Sequence, residues 1–169
     1  IPDAQQDLLK ALVKTGKPVV LLLFTGRPLI LNWESEHIPS ILNVWFGGSE
    51  TGDAVADVLF GKAVPCGKLT TTFPRSVGQL PLFYNHLNTG RPDPDNRVFN
   101  RYASNYLDES NEPLYPFGYG LSYTDFVYGD LQLSSETLPK NGNLTASVTV
   151  TNKGNHDGYE TVQIYLRDI

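Results

Sequence analysis

The stretch from Ile41 to Leu69 constrains the fold most. A largely apolar run, Ile41 to Phe46, meets the pair Gly47 and Gly48, and an amphipathic segment follows at once. Paired glycines allow backbone angles closed to other residues, so a strand can turn sharply into a helix there. Glu50 and Asp53 place negative charge in the first helical turn, where the helix dipole favours it. Ala54, Val55, Val58, Leu59 and Phe60 supply an apolar face, and Gly61 stands where a C-terminal cap belongs. The stretch therefore reads as strand, tight turn, helix, an α/β unit. Two chemical readings of the turn fail on its letters. After Gly47 and Gly52 a phosphate-binding loop needs Lys, and the chain has Asp53, which repels phosphate. A nucleophile elbow, GxSxG, starts correctly at Gly47 and Ser49, but Thr51 occupies its last glycine position. What remains is a turn that needs room for close packing.

Upstream, Pro2 and Asp3 suit a helix start, Leu8, Leu9, Leu12 and Val13 recur on one face, and Gly16 ends the element. Pro18 to Phe24 is a continuous aliphatic run, the pattern of a strand covered on both faces in a parallel sheet. Thr25, Gly26 and Arg27 turn the chain into a second short apolar run, Pro28 to Leu31, read as another strand; Trp33 to His37 is polar and assigned to the surface. The order helix, strand, strand, strand, helix predicts an α/β sandwich with a parallel or mixed sheet, its first strand or strands lying upstream. The absence of Met, even at the start, fits a piece of a longer chain.

Composition removes several function classes. With 169 residues, 40% of them hydrophobic, a real core can form. A net charge of −5 with scattered basic residues leaves no nucleic-acid footprint and no membrane-surface patch. No apolar run approaches the roughly 18 residues of a spanning helix, so no membrane partner is expected. The single cysteine, Cys66, has no metal-ligand cluster around it, and neither metal nor cofactor is expected.

After Leu69 the texture changes. Thr70 to Phe73 can form a strand, but from Pro74 to Tyr115 the chain is rich in Pro, Asn, Asp, Arg and Tyr without periodicity. Its aromatics, Phe83, Tyr84, Phe99, Tyr102, Tyr106 and Tyr115, predict an ordered functional loop, because disordered segments are poor in them. From Thr124 the apolar residues alternate: Phe126, Tyr128, Leu131 and Leu133, then LTASVTVTN, then ETVQIYLRD, separated by the turns KNGN and NKGNHDG. Three antiparallel strands are predicted, fewer than the about seven of a complete immunoglobulin-like sandwich. Asn143, Leu144 and Thr145 form a glycosylation sequon, read here as unmodified.

Four motifs in order, TGKPVVLLLFTGRPLIL, WFGGSETGDAVADVLFG, GKLTTTFPRSVGQLPLFYNHLNTGRP and YPFGYGLSYTDF, resemble glycoside hydrolase family 3, in particular its bacterial periplasmic β-glucosidases. The resemblance covers nearly the whole chain. It implies that residues 1–123 are most of the family's C-terminal α/β sandwich domain and that residues 124–169 begin a fibronectin type III-like domain, with YPFGYGLSYT as the joint. It also implies an exo-acting, retaining β-glucosidase that removes terminal non-reducing β-D-glucosyl residues from an oligosaccharide or aryl glucoside. The partner would be a TIM barrel of the parent chain, the location periplasmic or secreted, and a homodimer is compatible with it. The rival is a non-catalytic carbohydrate-binding or interaction module.

Retaining glycosidases use two carboxyl groups about 5 Å apart. The resemblance places both outside this chain, so no catalytic residue is assigned among Glu34, Glu36, Glu50, Asp53, Asp57, Asp108, Glu109 and Glu112. The candidate sugar-facing residues are Tyr84, Asn85, His86, Asn88, Arg91 and Tyr102, whose aromatic faces, amides and guanidinium suit sugar rings and hydroxyls. A bland alternative is that they fix the loop and contact a neighbouring domain.

Overall fold

The computed structural model describes residues 1–87, 89–92 and 101–167. The chain divides into two compact units, one of Ile1–Val55 with Lys68–Tyr119, the other of Ala56–Gly67 with Gly120–Ile169.

In the first unit, helix α1 (Asp3–Val13) opens after Pro2, whose carbonyl accepts Gln5 N and Gln6 N at 3.0 Å each. Gly16, at φ 73°, then turns the chain toward strand β1 (Val20–Leu23). Helix α2 (Asn32–His37) and strand β2 (Ser40–Asn43) follow. The two strands pair in parallel, Val20 opposite Ser40 and Leu23 opposite Asn43, and Val44 N extends the ladder to Leu23 O at 2.8 Å. This is the parallel α/β arrangement expected from the apolar runs. Leu23, Leu31 and Phe73 form the buried centre, with Leu21, Ile41, Trp45, Leu69, Leu114 and Tyr115 packed around it.

Three expectations are corrected. The run Pro28 to Leu31 is not a strand. Pro28 has no N–H for a ladder, and Leu31 O is already committed to Ser35 N at 2.8 Å in α2, so the segment delivers Leu29 and Leu31 to the core as a loop. Trp33 to His37 is not a polar surface stretch but helix α2, with Glu34 only 1% exposed and accepting Gln6 Nε2 at 3.2 Å. One turn of α2 stacks His37 on Trp33 at 4.6 Å, the i to i+4 spacing. Finally, β1 is not fully covered on both faces: Leu21 and Leu23 face the core, while on the other face Leu22 is half-buried and Val20 and Phe24 are 48% and 62% exposed. The predicted apolar face of α1 is likewise open at Leu8 and Leu12.

Helix α3 (Thr51–Leu59) starts after Gly48, which lies at φ 73°, and Thr51 Oγ1 donates to Gly48 O at 2.6 Å. Gly61, at φ 74°, follows its end. Val55 and Val58 are half-buried, but Phe60 is exposed, so the apolar face predicted there is narrower than its letters suggest. Thr70 to Phe73 is not a strand either; only Phe73 bridges, to Tyr115.

In the second unit, strands β3 (Phe126–Tyr128) and β6 (Val150–Asn152) pair antiparallel, as do β4 (Gln132–Leu133) and β5 (Ala146–Ser147). Gly129 N to Thr149 O and Ser134 N to Thr145 O, both 2.9 Å, join these pieces into one arm closed by the Pro139–Gly142 turn. The first two strands read from the alternation thus pair as expected. The third, ETVQIYLRD, forms no strand among its described residues. A strand exists only where another backbone meets its N–H and C=O groups. Residues 160–167 are instead tied by side chains, Tyr128 Oη to Glu160 Oε1 at 2.8 Å and Thr161 Oγ1 to Cys66 O at 3.0 Å, and leave Ile164 and Leu166 exposed.

Candidate functional site

The described parts of the segment after Phe73 are irregular, and identifiable bonds hold them in place. Its two ends are clamped by Phe73 N to Tyr115 O and Leu114 N to Phe73 O, each 2.9 Å. Asn32 Nδ2 holds Arg75 O at 2.9 Å, and Arg75 Nε reaches Glu112 O at 3.2 Å. A 3-10 turn, Val77–Gln79, then buries the Gln79 side chain completely, at 0% exposure. Gln79 Oε1 accepts Arg75 N at 2.6 Å, and Nε2 donates to Ser110 O at 2.8 Å and Glu112 O at 3.3 Å. Its backbone carbonyl accepts Tyr106 Oη at 3.2 Å. A long irregular segment must satisfy its own backbone groups to stay folded, and at Arg75, Ser110 and Glu112 side-chain amides do so.

The sugar-facing candidates fall on this loop in two groups. Tyr84, Asn85 and His86 are consecutive and exposed, with the Tyr84 ring stacked on Phe117 at 4.2 Å. The stack holds one ring face while leaving Tyr84 55% exposed, which suits an aromatic platform. His86 Nδ1 lies 3.3 Å from Leu87 O. Arg91 and Tyr102 form the second group: Ser104 N donates to Arg91 O at 2.8 Å, which brings the two segments side by side. Tyr102 is 69% exposed, with the Arg101 guanidinium 5.8 Å from its ring centre. Asn88, the remaining candidate, and the aromatic Phe99 lie outside the described residues.

Three of the carboxylates have local occupations. Glu34 is buried against Gln6, Asp57 pairs with Lys62 at 3.4 Å, and Glu109 Oε1 accepts Ser110 N at 2.8 Å. Among the described residues no group of three or more His, Cys, Asp or Glu is placed to hold a metal. Behind the loop, Tyr115 stacks on Tyr119 at 5.1 Å. Burial, with Tyr119 adding to it, pushes the Tyr115 phenol above its ordinary 10.0, against a hydrogen bond from Ser35 that works the other way.

Three structural residues of the site, Gln79, Asn32 and Glu34, escape sequence reasoning. Each is a polar residue without periodic context, and only the segments it meets give it a role. For Gln79 the available signal is its place inside PRSVGQLP, a compact run of turn formers where an uncharged amide can both donate and accept.

Residues 1–123 match the family model described as the glycosyl hydrolase family 3 C-terminal domain. The chain belongs to glycosyl hydrolase family 3. Among relatives in the family, the "Periplasmic beta-glucosidase" of Salmonella typhimurium strain LT2 is 55% identical over 169 residues, all of this chain and 22% of that protein. The "Beta-xylosidase" of Formosa agariphila is 48% identical over 164 residues, 97% of this chain and 22% of that one. The crystal structure of the beta-glucosidase from Listeria innocua in complex with glucose superimposes with a TM-score of 0.84 at 45% identity, covering 94% of this chain and 22% of its own. The chain thus spans about a fifth of the length of these family 3 relatives.

Proposed function

We propose that the parent protein is an exo-acting, retaining β-glucosidase that hydrolyses terminal non-reducing β-D-glucosyl residues, and that this chain supplies part of the wall of its sugar site. The observation that carries this reading is the 55% identity, over the whole chain, to a relative named as a periplasmic β-glucosidase. The glucose complex of the Listeria innocua relative supports a glucoside as the substrate class.

In this reading residues 1–123 belong to the α/β sandwich domain, and the antiparallel arm from residue 124 begins a fibronectin type III-like domain. A TIM barrel elsewhere in the parent carries the nucleophile, and the acid/base carboxyl also comes from outside these residues. The two act about 5 Å apart, one attacking the anomeric carbon and the other protonating the departing oxygen. Tyr84, Asn85, His86, Arg91 and Tyr102 face the sugar, their ring faces meeting its C–H surface and their polar groups its hydroxyls. Asn88 belongs to the same proposal on its position in the sequence. The location is periplasmic or secreted.

The test is expression of the full-length protein and assay on p-nitrophenyl β-glucoside and β-xyloside, with proton NMR of the first-formed sugar. Release of β-glucose before mutarotation is the expected result. A full-length sequence without a TIM barrel, or a folded protein that binds oligosaccharides without cleaving them, would replace the enzyme by a carbohydrate-binding module.

A further inference from the structure

We infer that Gln79 is a positioning residue for the sugar-facing loop, setting the separation of its two arms and thereby the affinity for substrate. This rests on the proposal that Tyr84 to His86, Arg91 and Tyr102 face the sugar. The outgoing arm leaves Gln79 through Leu80 and reaches Tyr84 five residues later; the returning arm passes Tyr102 and comes back to Gln79 at Tyr106. One fully buried side chain bonds three backbone groups, Arg75 N just upstream, at the base of the outgoing arm, and the carbonyls of Ser110 and Glu112 on the returning one. Its own carbonyl takes the Tyr106 hydroxyl. Tyr106 N in turn donates to Asn111 Oδ1 at 3.1 Å, and Asn111 Nδ2 donates to Ser104 O at 3.2 Å, next to the segment that carries Tyr102.

The chemistry requires an amide. A carboxylate accepts from Arg75 N but cannot donate to two carbonyls, an ammonium donates but cannot accept, and an aliphatic chain does neither. Burial makes each lost bond a cost that water does not refund, so the arms must shift to recover partners. A shift of this kind misplaces a ring platform without touching the carboxylates that do the chemistry. Its signature is a raised KM, with kcat per active site little changed, because ground-state and transition-state contacts to the sugar weaken together.

The experiment uses the full-length enzyme with active sites titrated by a mechanism-based inactivator, on an aryl β-glucoside well below the melting temperature. Gln79→Leu is expected to raise KM roughly tenfold with kcat within about threefold, and Tyr106→Phe to raise KM by about two- to threefold. Gln79→Glu should resemble Gln79→Leu at neutral pH. At acid pH its KM ratio to wild type should fall, because a protonated carboxyl regains a donor. A purely structural role instead lowers the melting temperature and the titratable fraction while leaving KM per active site unchanged, and that result overturns the inference. If Gln79→Leu does not fold, the KM of Tyr106→Phe and the pH trend of Gln79→Glu decide by the same criteria. Tyr84→Ala and Tyr102→Ala separate the two claims. If they raise KM and the Gln79 and Tyr106 variants do not, positioning by Gln79 is wrong; if none of them raises KM, the loop does not face the sugar.

Discussion

Gly47 and Gly48 are neighbours, yet the structure gives them different reasons to be glycine, and the same substitution should separate them. A Cβ on Gly48 would find nothing within 4 Å, but the residue sits at φ 73°. Holding an L-residue in the left-handed region costs about 1 to 2 kcal/mol, and an alanine recovers about 0.4 to 1 kcal/mol by restricting the unfolded chain. Gly48→Ala should therefore destabilise by about 1 kcal/mol, and Gly48→Val by more, since a branched Cβ fits that region worse. Gly47 does not share the positive φ; there the obstacle is Thr51, whose Cβ would lie 2.8 Å from an added Cβ and whose Oγ1 and Cγ2 would be closer still. Relief requires Thr51 to turn away, which gives up its 2.6 Å bond to Gly48 O. Overpacking at about 1 to 3 kcal/mol and a lost hydrogen bond at about 1 kcal/mol put Gly47→Ala at roughly 2 to 3 kcal/mol.

A double-mutant cycle tests this directly. Thr51→Ala removes Oγ1 and Cγ2, so in that background Gly47→Ala should cost at least about 1 kcal/mol less than in wild type, whereas Gly48→Ala should add within about 0.5 kcal/mol. The measurement is hydrogen exchange by mass spectrometry on peptides spanning residues 41–59 of the full-length protein, converted to opening free energies. Equal coupling of Thr51 to both glycines, or a larger cost at Gly48 than at Gly47, would refute the steric argument.

Three further outcomes are expected. The purified 169-residue chain should not hydrolyse an aryl β-glucoside; turnover abolished by replacing a single carboxylate such as Glu34 or Glu112 would place catalysis inside it. Tyr115 has its phenol raised above 10.0 chiefly by burial, so its contribution to stability is whole below about pH 10 and falls as pH climbs through the raised value. Tyr115→Phe should flatten that alkaline decline in melting temperature, and an unchanged decline would exclude Tyr115 as its source. In hydrogen exchange of the isolated chain, amides of residues 160–167 should exchange faster than those of Val20–Leu23 and Ser40–Asn43, because no ladder holds the former; equal protection would mean that the segment has found a strand partner.

Local physics written in the letters settled much of this protein. The strand, glycine turn and helix around Gly48 follow from the backbone freedom of glycine and the charge preference of a helix start, both properties of a few consecutive residues. The strands Val20–Leu23 and Ser40–Asn43 were legible as apolar runs of a parallel or mixed sheet, though not as immediate neighbours, and the antiparallel arm after Thr124 as period-two alternation interrupted by turn residues. The four motifs carried the family, and residues 1–123 match it. Tertiary structure alone decided what depends on partners distant in the sequence. Pro28 to Leu31 has the composition of a strand, yet it became a loop because Leu31 O serves α2. Glu34 reads as a surface charge and is buried because Gln6, 28 residues away, meets it. ETVQIYLRD has the alternation of a strand and forms none in its described residues, since alternation sets which side chains share a face but cannot supply a neighbouring backbone. Gln79 is the clearest case. An isolated glutamine carries no periodic signal, and its part in ordering the loop comes from bonds to Ser110 and Glu112, more than thirty residues on, which exist only once the chain has folded back.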